Sequence, residues 1–314
     1  MRVAVYHNLP PGGALRALTE FLHHSKAEHE YDLYTIDLGE FDGYASAKGR
    51  AEQRDLGAHV SKIFRYPIVS KRTARALDRR LWLATAPGWV GRVERRIASD
   101  INSRNYDVAL VYSCQVVHSP SVLRHLNLPS LYYMNEPRRL SFEPPYRPPV
   151  DASVIQRIVK WGRERVLRWR DRTSVAAADC VVANSNYAAE YIKRAYGISA
   201  SVCYLGIDTA TFDVAADDES TNNPPSVISV GAVDPMKGHD LVVEALGLLP
   251  PESRPALDVV YERCDEAYRK GLQAQAAANG VDLRLHFGIT DAELAAMYRK
   301  SSVTVLAAHL EPFG

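Results

Sequence analysis

Three segments of the chain carry residue types suited to gripping an anion or a sugar. Val230-Gly231-Ala232-Val233-Asp234-Pro235-Met236-Lys237-Gly238-His239-Asp240 leaves an aliphatic run and enters a helical pattern, so Lys237 is expected at a helix N-terminus. There its ammonium and the positive end of the helix dipole act on the same space, which suits a diphosphate. An exposed lysine near a helix cap is the plainer alternative. Glu311, in Leu306-Ala307-Ala308-His309-Leu310-Glu311-Pro312-Phe313-Gly314, stands just past another aliphatic run. In an open parallel sheet that edge binds ligands, and Glu311 can accept from sugar hydroxyls there or cap a following helix. Pro10-Pro11-Gly12-Gly13-Ala14 follows the first aliphatic run and offers small residues and free N–H groups to an anion or sugar, or simply makes a tight turn. It lacks the full G-x-G-x-x-G pattern. Asp37 is the only acidic candidate at the end of the next run, so a dinucleotide cofactor is disfavoured. No metal-ligand cluster and no Asp-x-Asp pair stands out.

The elements that must position these residues are read from periodicity. Short buried-strand runs at 3–6, 31–36, 108–112, 130–133 and 180–183 alternate with helical segments, the first marked by Ala14, Leu15, Leu18, Phe21 and Leu22 on one face. A second series has strands at 227–230, 257–261, 283–287 and 303–307 and helices at 241–249 and 291–300. Thr290 and Glu293 are spaced as a capping box for the last helix. Such alternation is that of doubly wound α/β domains with parallel sheets. Two such domains fit 314 residues, and 17 Tyr, 7 Phe and 4 Trp rule out bulk disorder. The boundaries are placed at 1–205 for the first domain, 206–224 for a polar, Pro-ended linker and 225–314 for the second. The Pro-rich segment 138–151 is expected as a loop at the top of the first sheet.

Residues 1–205 hold 30 Lys and Arg against 20 Asp and Glu, whereas 206–314 hold 8 against 17. The two halves therefore have opposite charge and different surroundings. The basic residues gather in helical patterns at 71–96 and 157–172, the latter with Ile155, Ile158, Val159, Val166 and Trp169 at three-to-four spacing. A solvated helix face is one reading and contact with an anionic membrane another; no nucleic-acid motif accompanies the charge. No run of about 20 apolar residues exists, and Met1-Arg2 leads into a strand rather than a signal peptide, so a cytoplasmic location is expected. Cys114, Cys180, Cys203 and Cys264 are unpaired in spacing and are expected as small core residues.

Taken together, these segments resemble glycosyltransferase family 4, the retaining GT-B enzymes also described as glycosyl transferases group 1. The likeness runs through the Pro-Pro-Gly-Gly turn, Tyr132-Tyr133-Met134-Asn135-Glu136-Pro137-Arg138, Val182-Ala183-Asn184-Ser185-Asn186-Tyr187, Tyr204-Leu205-Gly206-Ile207-Asp208 with Phe212, Val230-Gly231 with Lys237-Gly238, and Glu311-Pro312-Phe313-Gly314. The resemblance implies two Rossmann-like domains facing a cleft. It implies transfer of a sugar from a nucleoside-diphosphate sugar to a hydroxyl acceptor, either a lipid-linked glycan or a polysaccharide precursor, with no cofactor and no metal. Lys237 then neutralises the donor diphosphate beside Gly231 and Gly238, Glu311 contacts the donor sugar, Gly288 and Ile289 border the nucleobase, and Gly13 borders the donor phosphates. His118, Glu136, Asn184 and Ser185 face the acceptor, with His118 a further catalytic candidate or a structural polar residue. Two departures stand out. Ala232 replaces the arginine that usually shares the diphosphate with the lysine. The second glutamate of the family pair and the closing elements would fall beyond Gly314, so a longer enzyme is expected. A non-catalytic nucleotide- or sugar-binding protein, or another GT-B enzyme such as a nucleotide-sugar epimerase, remains an alternative.

Overall fold

The aliphatic and aromatic runs of the first 205 residues pair side by side in one parallel sheet. The computed structural model describes residues 1–38, 55–68, 79–138, 142, 154–213, 224–309 and 311. The sheet has the order β3-β2-β1-β4-β5-β6-β7. Its strands are β1 (Arg2–Asn8), β2 (Glu30–Asp37), β3 (Lys62–Pro67), β4 (Val108–Cys114), β5 (Ser130–Met134), β6 (Cys180–Ala183) and β7 (Ser201–Val202). Val3 pairs with Tyr31 on one side and Val108 on the other, and successive residues of β1 and β4 are buried, so the central strands are covered on both faces, as continuous apolar runs require. Helix α1 (Gly13–Ser25) packs Leu15, Leu18 and Leu22 against Val3 and Val5 on one face. On the other face α2 (Arg79–Asn102), α3 (Val154–Val175) and α4 (Asn186–Tyr196) cover Tyr6, Tyr34 and Tyr132 with Ile97, Val175 and Ile192.

Residues 206–312 form a second compact unit. Its sheet has the order β10-β9-β8-β11, with β8 (Ser226–Val230), β9 (Ala256–Tyr261), β10 (Leu283–Phe287) and β11 (Val303–Thr304) all parallel. Helices α5 (His239–Gly247), α6 (Glu266–Ala278) and α7 (Asp291–Lys300) flank it. Val227, Val242, Val243, Leu257, Val259 and Leu272 form its core. The capping box at α7 is present in both directions: Glu293 N–H donates to the Thr290 hydroxyl, and Thr290 N–H to the Glu293 carboxylate.

Several expectations are corrected by packing. Phe21 is not on the buried face of α1; it stands at the surface with its ring edge against Tyr31. Val166 and Trp169 likewise face outward, because α3 buries the stripe Leu167, Asp171, Ser174 and Val175 instead. Asp171 earns that place through bonds, accepting from the Ser119 N–H at 3.1 Å and from the Tyr196 hydroxyl at 3.4 Å. Only Cys114 is a buried cysteine; Cys180 and Cys203 are at the surface, one opening β6 and one just beyond the edge strand β7. Helix α5 starts at His239 and ends at Gly247, leaving Leu248 exposed. Strand β11 is two residues long, although the Val305 N–H still reaches the Ile228 carbonyl. Most of 138–151 and of the expected linker, and residues 71–78, lie outside the described residues.

His7 near the end of β1 is buried, and loss of hydration lowers its pKa from 6.5 to about 3. The folded protein therefore keeps the imidazole neutral at pH values where the unfolded chain protonates it. The associated stability is complete above about pH 6.5 and is lost as the pH falls towards 3, at up to ~1.4 kcal/mol per pH unit. In denaturant titrations between pH 4 and 6, His7→Gln is expected to flatten the pH dependence of unfolding; an unchanged slope contradicts this account.

Candidate functional site

Each sheet reverses its strand order once, between β1 and β4 in the first unit and between β8 and β11 in the second. Connections leave such a point in opposite directions and open a crevice beyond the carboxyl ends of the two strands. Lys237 follows β8 and Glu311 follows β11, so the topology brings together residues that are 74 apart in sequence.

The loop leaving β8 is shaped by local bonds. Asp234 caps the 3-10 turn Pro235–Lys237, its carboxylate accepting the Met236 N–H at 2.9 Å. Gly238 then takes the left-handed conformation, φ 65°, and α5 begins at His239. Lys237 thus ends the turn before the helix rather than sitting within its first turn. A Cβ at Gly238 would fall 2.1 Å from the Ala307 carbonyl oxygen, so both the backbone angle and the close approach require glycine. The His309 N–H reaches the Met236 carbonyl at 3.1 Å just beyond this contact. The Lys237 stem lies over Gly231, where a Cβ would come within 3.3 Å of it. With both approaches made, the Lys237 ammonium donates to the Glu311 carboxylate, and each side chain is about a quarter exposed.

His239 holds the same loop from below. Its Nε2 lies 3.1 Å from the Ala232 carbonyl, which only accepts, so this nitrogen carries the proton and Nδ1 accepts from the Ser229 hydroxyl at 3.1 Å. Burial lowers its pKa, keeping the ring neutral. Gly288 and Ile289 follow β10; Gly288 has φ 66° and donates to the Tyr261 carbonyl at 3.0 Å. The Tyr261 and Phe287 rings meet beside them at 5.4 Å, with Phe287 largely exposed.

One cation at this rim escapes sequence reasoning. Arg263 follows β9, its carbonyl accepts the Val233 N–H at 2.8 Å, and its exposed guanidinium pairs with Asp234 at 3.3 Å. The signal was the position of Arg263 two residues past a strand end, the same offset at which Ala232 lacks its charge.

In the first unit, Gly12 and Gly13 follow β1 and open α1, with no atom near where their side chains would be. His118, Glu136, Asn184 and Ser185 all follow carboxyl strand ends. His118 is held at φ 65° by reciprocal backbone bonds with Cys114, both 2.8 Å, and its Nε2 is 2.7 Å from the Glu136 carbonyl. Left-handed backbone at a non-glycine residue costs on the order of 1–3 kcal/mol and persists only where surroundings hold it. Asp171 lies behind, and burial raises its pKa most strongly. Asn184 is buried, and its Oδ1 finds no hydrogen-bond partner. Ser185 differs: its hydroxyl caps α4 by accepting the Ala188 N–H at 3.0 Å. Among the described residues no group of three or more His, Cys, Asp or Glu is placed to hold a metal, and no helix is long and apolar enough to cross a membrane.

Two doubly wound parallel sheets, each with its loops gathered at a strand-order reversal, define a protein of two Rossmann-like units. Residues 11–211 match the model of Glycosyltransferase Family 4 and residues 213–314 that of Glycosyl transferases group 1; the chain belongs to this family. It is 30% identical over 157 residues to a D-inositol 3-phosphate glycosyltransferase of Xylanimonas cellulosilytica. That match covers 45% of this chain and 37% of the relative, little more than a third of its length. Among solved structures, an Anabaena protein in complex with UDP and glucose aligns over 100% of this chain and 76% of its own, with TM-score 0.64 and 16% identity. A glycosyltransferase from Rickettsia africae aligns over 98% and 73%, with TM-score 0.60 and 14% identity. These likenesses show the GT-B fold.

The Gly238 contact is open to a direct test. Gly238→Ala is expected to lower stability by at least ~1–3 kcal/mol from backbone strain alone, with the Ala307 clash in addition. Thermal unfolding followed by circular dichroism checks this; an unchanged midpoint contradicts the packing described.

Proposed function

We propose that this chain transfers a glycosyl group from a nucleoside-diphosphate sugar to a hydroxyl acceptor with retention of anomeric configuration. The observation that carries the reading is the Lys237–Glu311 pair at the strand-order reversal of the second unit. A partly exposed ion pair is worth no more than about 1 kcal/mol, so a diphosphate bearing more charge than one carboxylate displaces it readily. The ammonium then holds the leaving phosphates, and the freed Glu311 carboxylate accepts from hydroxyls of the donor sugar. Cleavage of the glycosidic bond develops negative charge on the diphosphate and positive charge on the sugar, and a fixed cation and a fixed anion stabilise the two. Gly231 and Gly238 let this backbone lie close to the donor. Gly288, Ile289 and the exposed Phe287 ring border the nucleobase. No metal is needed on this reading.

Arg263 supplies the second positive charge that Ala232 lacks. It reaches the rim from the neighbouring strand end and is already turned toward the loop through Asp234. On the acceptor side, His118 is held in a conformation it would not adopt by itself and presents its ring beside Glu136, while the free Asn184 Oδ1 can accept from an acceptor hydroxyl. The acceptor class this supports is polyhydroxylated, either a lipid-linked glycan or a polysaccharide precursor; the relative named for D-inositol 3-phosphate is consistent with a polar polyol. Ser185 caps α4 through its hydroxyl oxygen and stands next to Asn184 on the acceptor side.

Lys237→Ala is expected to reduce transfer from nucleotide sugars by roughly a hundredfold to a thousandfold, while folding is retained. Unchanged turnover removes the assignment, and donor binding without any transfer by the parent protein favours a purely binding role. Arg263→Ala is expected to weaken nucleoside diphosphate binding roughly fivefold in calorimetric titration, the size of an exposed charge contact. Identical affinity would remove Arg263 from the site.

A further inference from the structure

Helix α2 carries Pro87, Gly88 and Gly91 within about one turn of its centre, although interior glycine costs a helix about 1 kcal/mol per residue. The space they leave is used. A Cβ at Gly91 would come within 2.7 Å of the Arg170 guanidinium, and nothing lies within 4 Å of one at Gly88. A depression of about 430 Å³ opens there between α2, α3 and the 3-10 turn Ser121–His125, walled by Arg92, Arg95, Arg124, Arg170, Val166 and Trp169.

These four guanidiniums are more numerous than the one carboxylate, Glu94, that acts on Arg124 and Arg170 among the described residues. None of them makes a salt bridge among the described residues; Arg170 donates instead to the Pro87 carbonyl at 3.0 Å, and the Arg124 Nε is buried with no acceptor. The carboxylate of Glu94 is buried beneath them and acts on Arg124 and Arg170 through charge without a salt bridge to either. Its oxygens are occupied by the Tyr6 hydroxyl at 2.8 Å and the Ser121 N–H at 2.7 Å. Repulsion is felt: burial and the neighbouring Arg170 lower the Arg124 pKa. Cations in excess of carboxylate, gathered in a concave site, call for an anion with several oxygens, and guanidinium forks match phosphate.

The exposed side of α3, which reaches the pocket through Val166 and Trp169, sets large apolar residues among arginines such as Arg165. Trp161, Val166 and Trp169 are 66%, 56% and 61% exposed, while the opposite stripe enters the core. Indole rings in this position suit the boundary between headgroups and acyl chains. Arg165 lies 5.8 Å over the Trp161 ring. The excess of basic residues in 1–205 adds long-range attraction to an anionic surface. None of the residues assigned to donor or acceptor lines this pocket.

We propose that the α2–α3 face docks on an anionic lipid bilayer, with a phosphodiester headgroup in the arginine pocket and Trp161, Val166 and Trp169 seated in the interface. The site is independent of the sugar-transfer reading and is tested without any donor. Co-sedimentation of the purified chain is measured with vesicles of phosphatidylcholine alone and of phosphatidylcholine with phosphatidylglycerol, at low and high salt. The parent is expected to partition at least tenfold more to the anionic vesicles, falling with salt. Arg92→Glu with Arg95→Glu, both exposed, is expected to lower that partition at least tenfold, and Trp161→Ser with Trp169→Ser to lower it while its salt dependence remains. Gly88→Leu fills the depression without changing charge and favours the helix, so it separates a shaped pocket from general attraction; a several-fold loss is expected. Equal partition to both vesicle types, no effect of Gly88→Leu, or tighter binding to a single-stranded oligonucleotide than to anionic vesicles would overturn the proposal.

Discussion

The second unit's site depends on one close approach: the backbone after β11 passes so near Gly238 that no other residue fits between them. That contact ties the end of one strand to the start of one helix across a strand-order reversal. Lys237 and Glu311 meet because of it, and the stem of Lys237 keeps its direction because Gly231 leaves room beneath. His239, neutral and bonded on both ring nitrogens, stops the loop from shifting. The charged pair is therefore a consequence of backbone packing, and its own attraction is too small to have created the arrangement.

Much of the fold could be read from residue patterns, and the exceptions share a cause. Central strands such as β1, β4 and β9 are continuous apolar runs because both faces are covered, so periodicity finds them. Edge strands β3 and β7 are short or half exposed and carry no such signal. In α3 the apolar spacing pointed to Val166 and Trp169, yet the buried stripe holds Asp171, whose carboxylate accepts from the Ser119 N–H and the Tyr196 hydroxyl, and Ser174, whose hydroxyl is buried without a partner. At the site, Lys237 and Glu311 were each visible from their segments, but that they touch follows from strand order, which a single sequence does not display. Arg263 was invisible because its relevance lies in a neighbouring loop rather than in the motif itself.

Charge is distributed with the same economy of partners. Inside the first unit, Glu94 is satisfied by the Tyr6 and Ser121 hydroxyls and the Ser121 N–H, whereas Asp32 accepts from the Tyr106 hydroxyl and pairs with Arg2 at 3.1 Å. Arg92, Arg95, Arg124 and Arg170 make no salt bridge among the described residues. Burying Glu94 below Arg124 and Arg170 moderates their mutual repulsion without neutralising the pocket, which keeps a positive field at the surface where two helices meet.

Both margins of the seven-stranded sheet are poor templates for a further strand. Strand β3 places Lys62 and Arg65 along its rim and closes on Pro67, which has no N–H to give, while β7 presents two residues only. Strand-to-strand aggregation through this unit is thereby blunted at either margin.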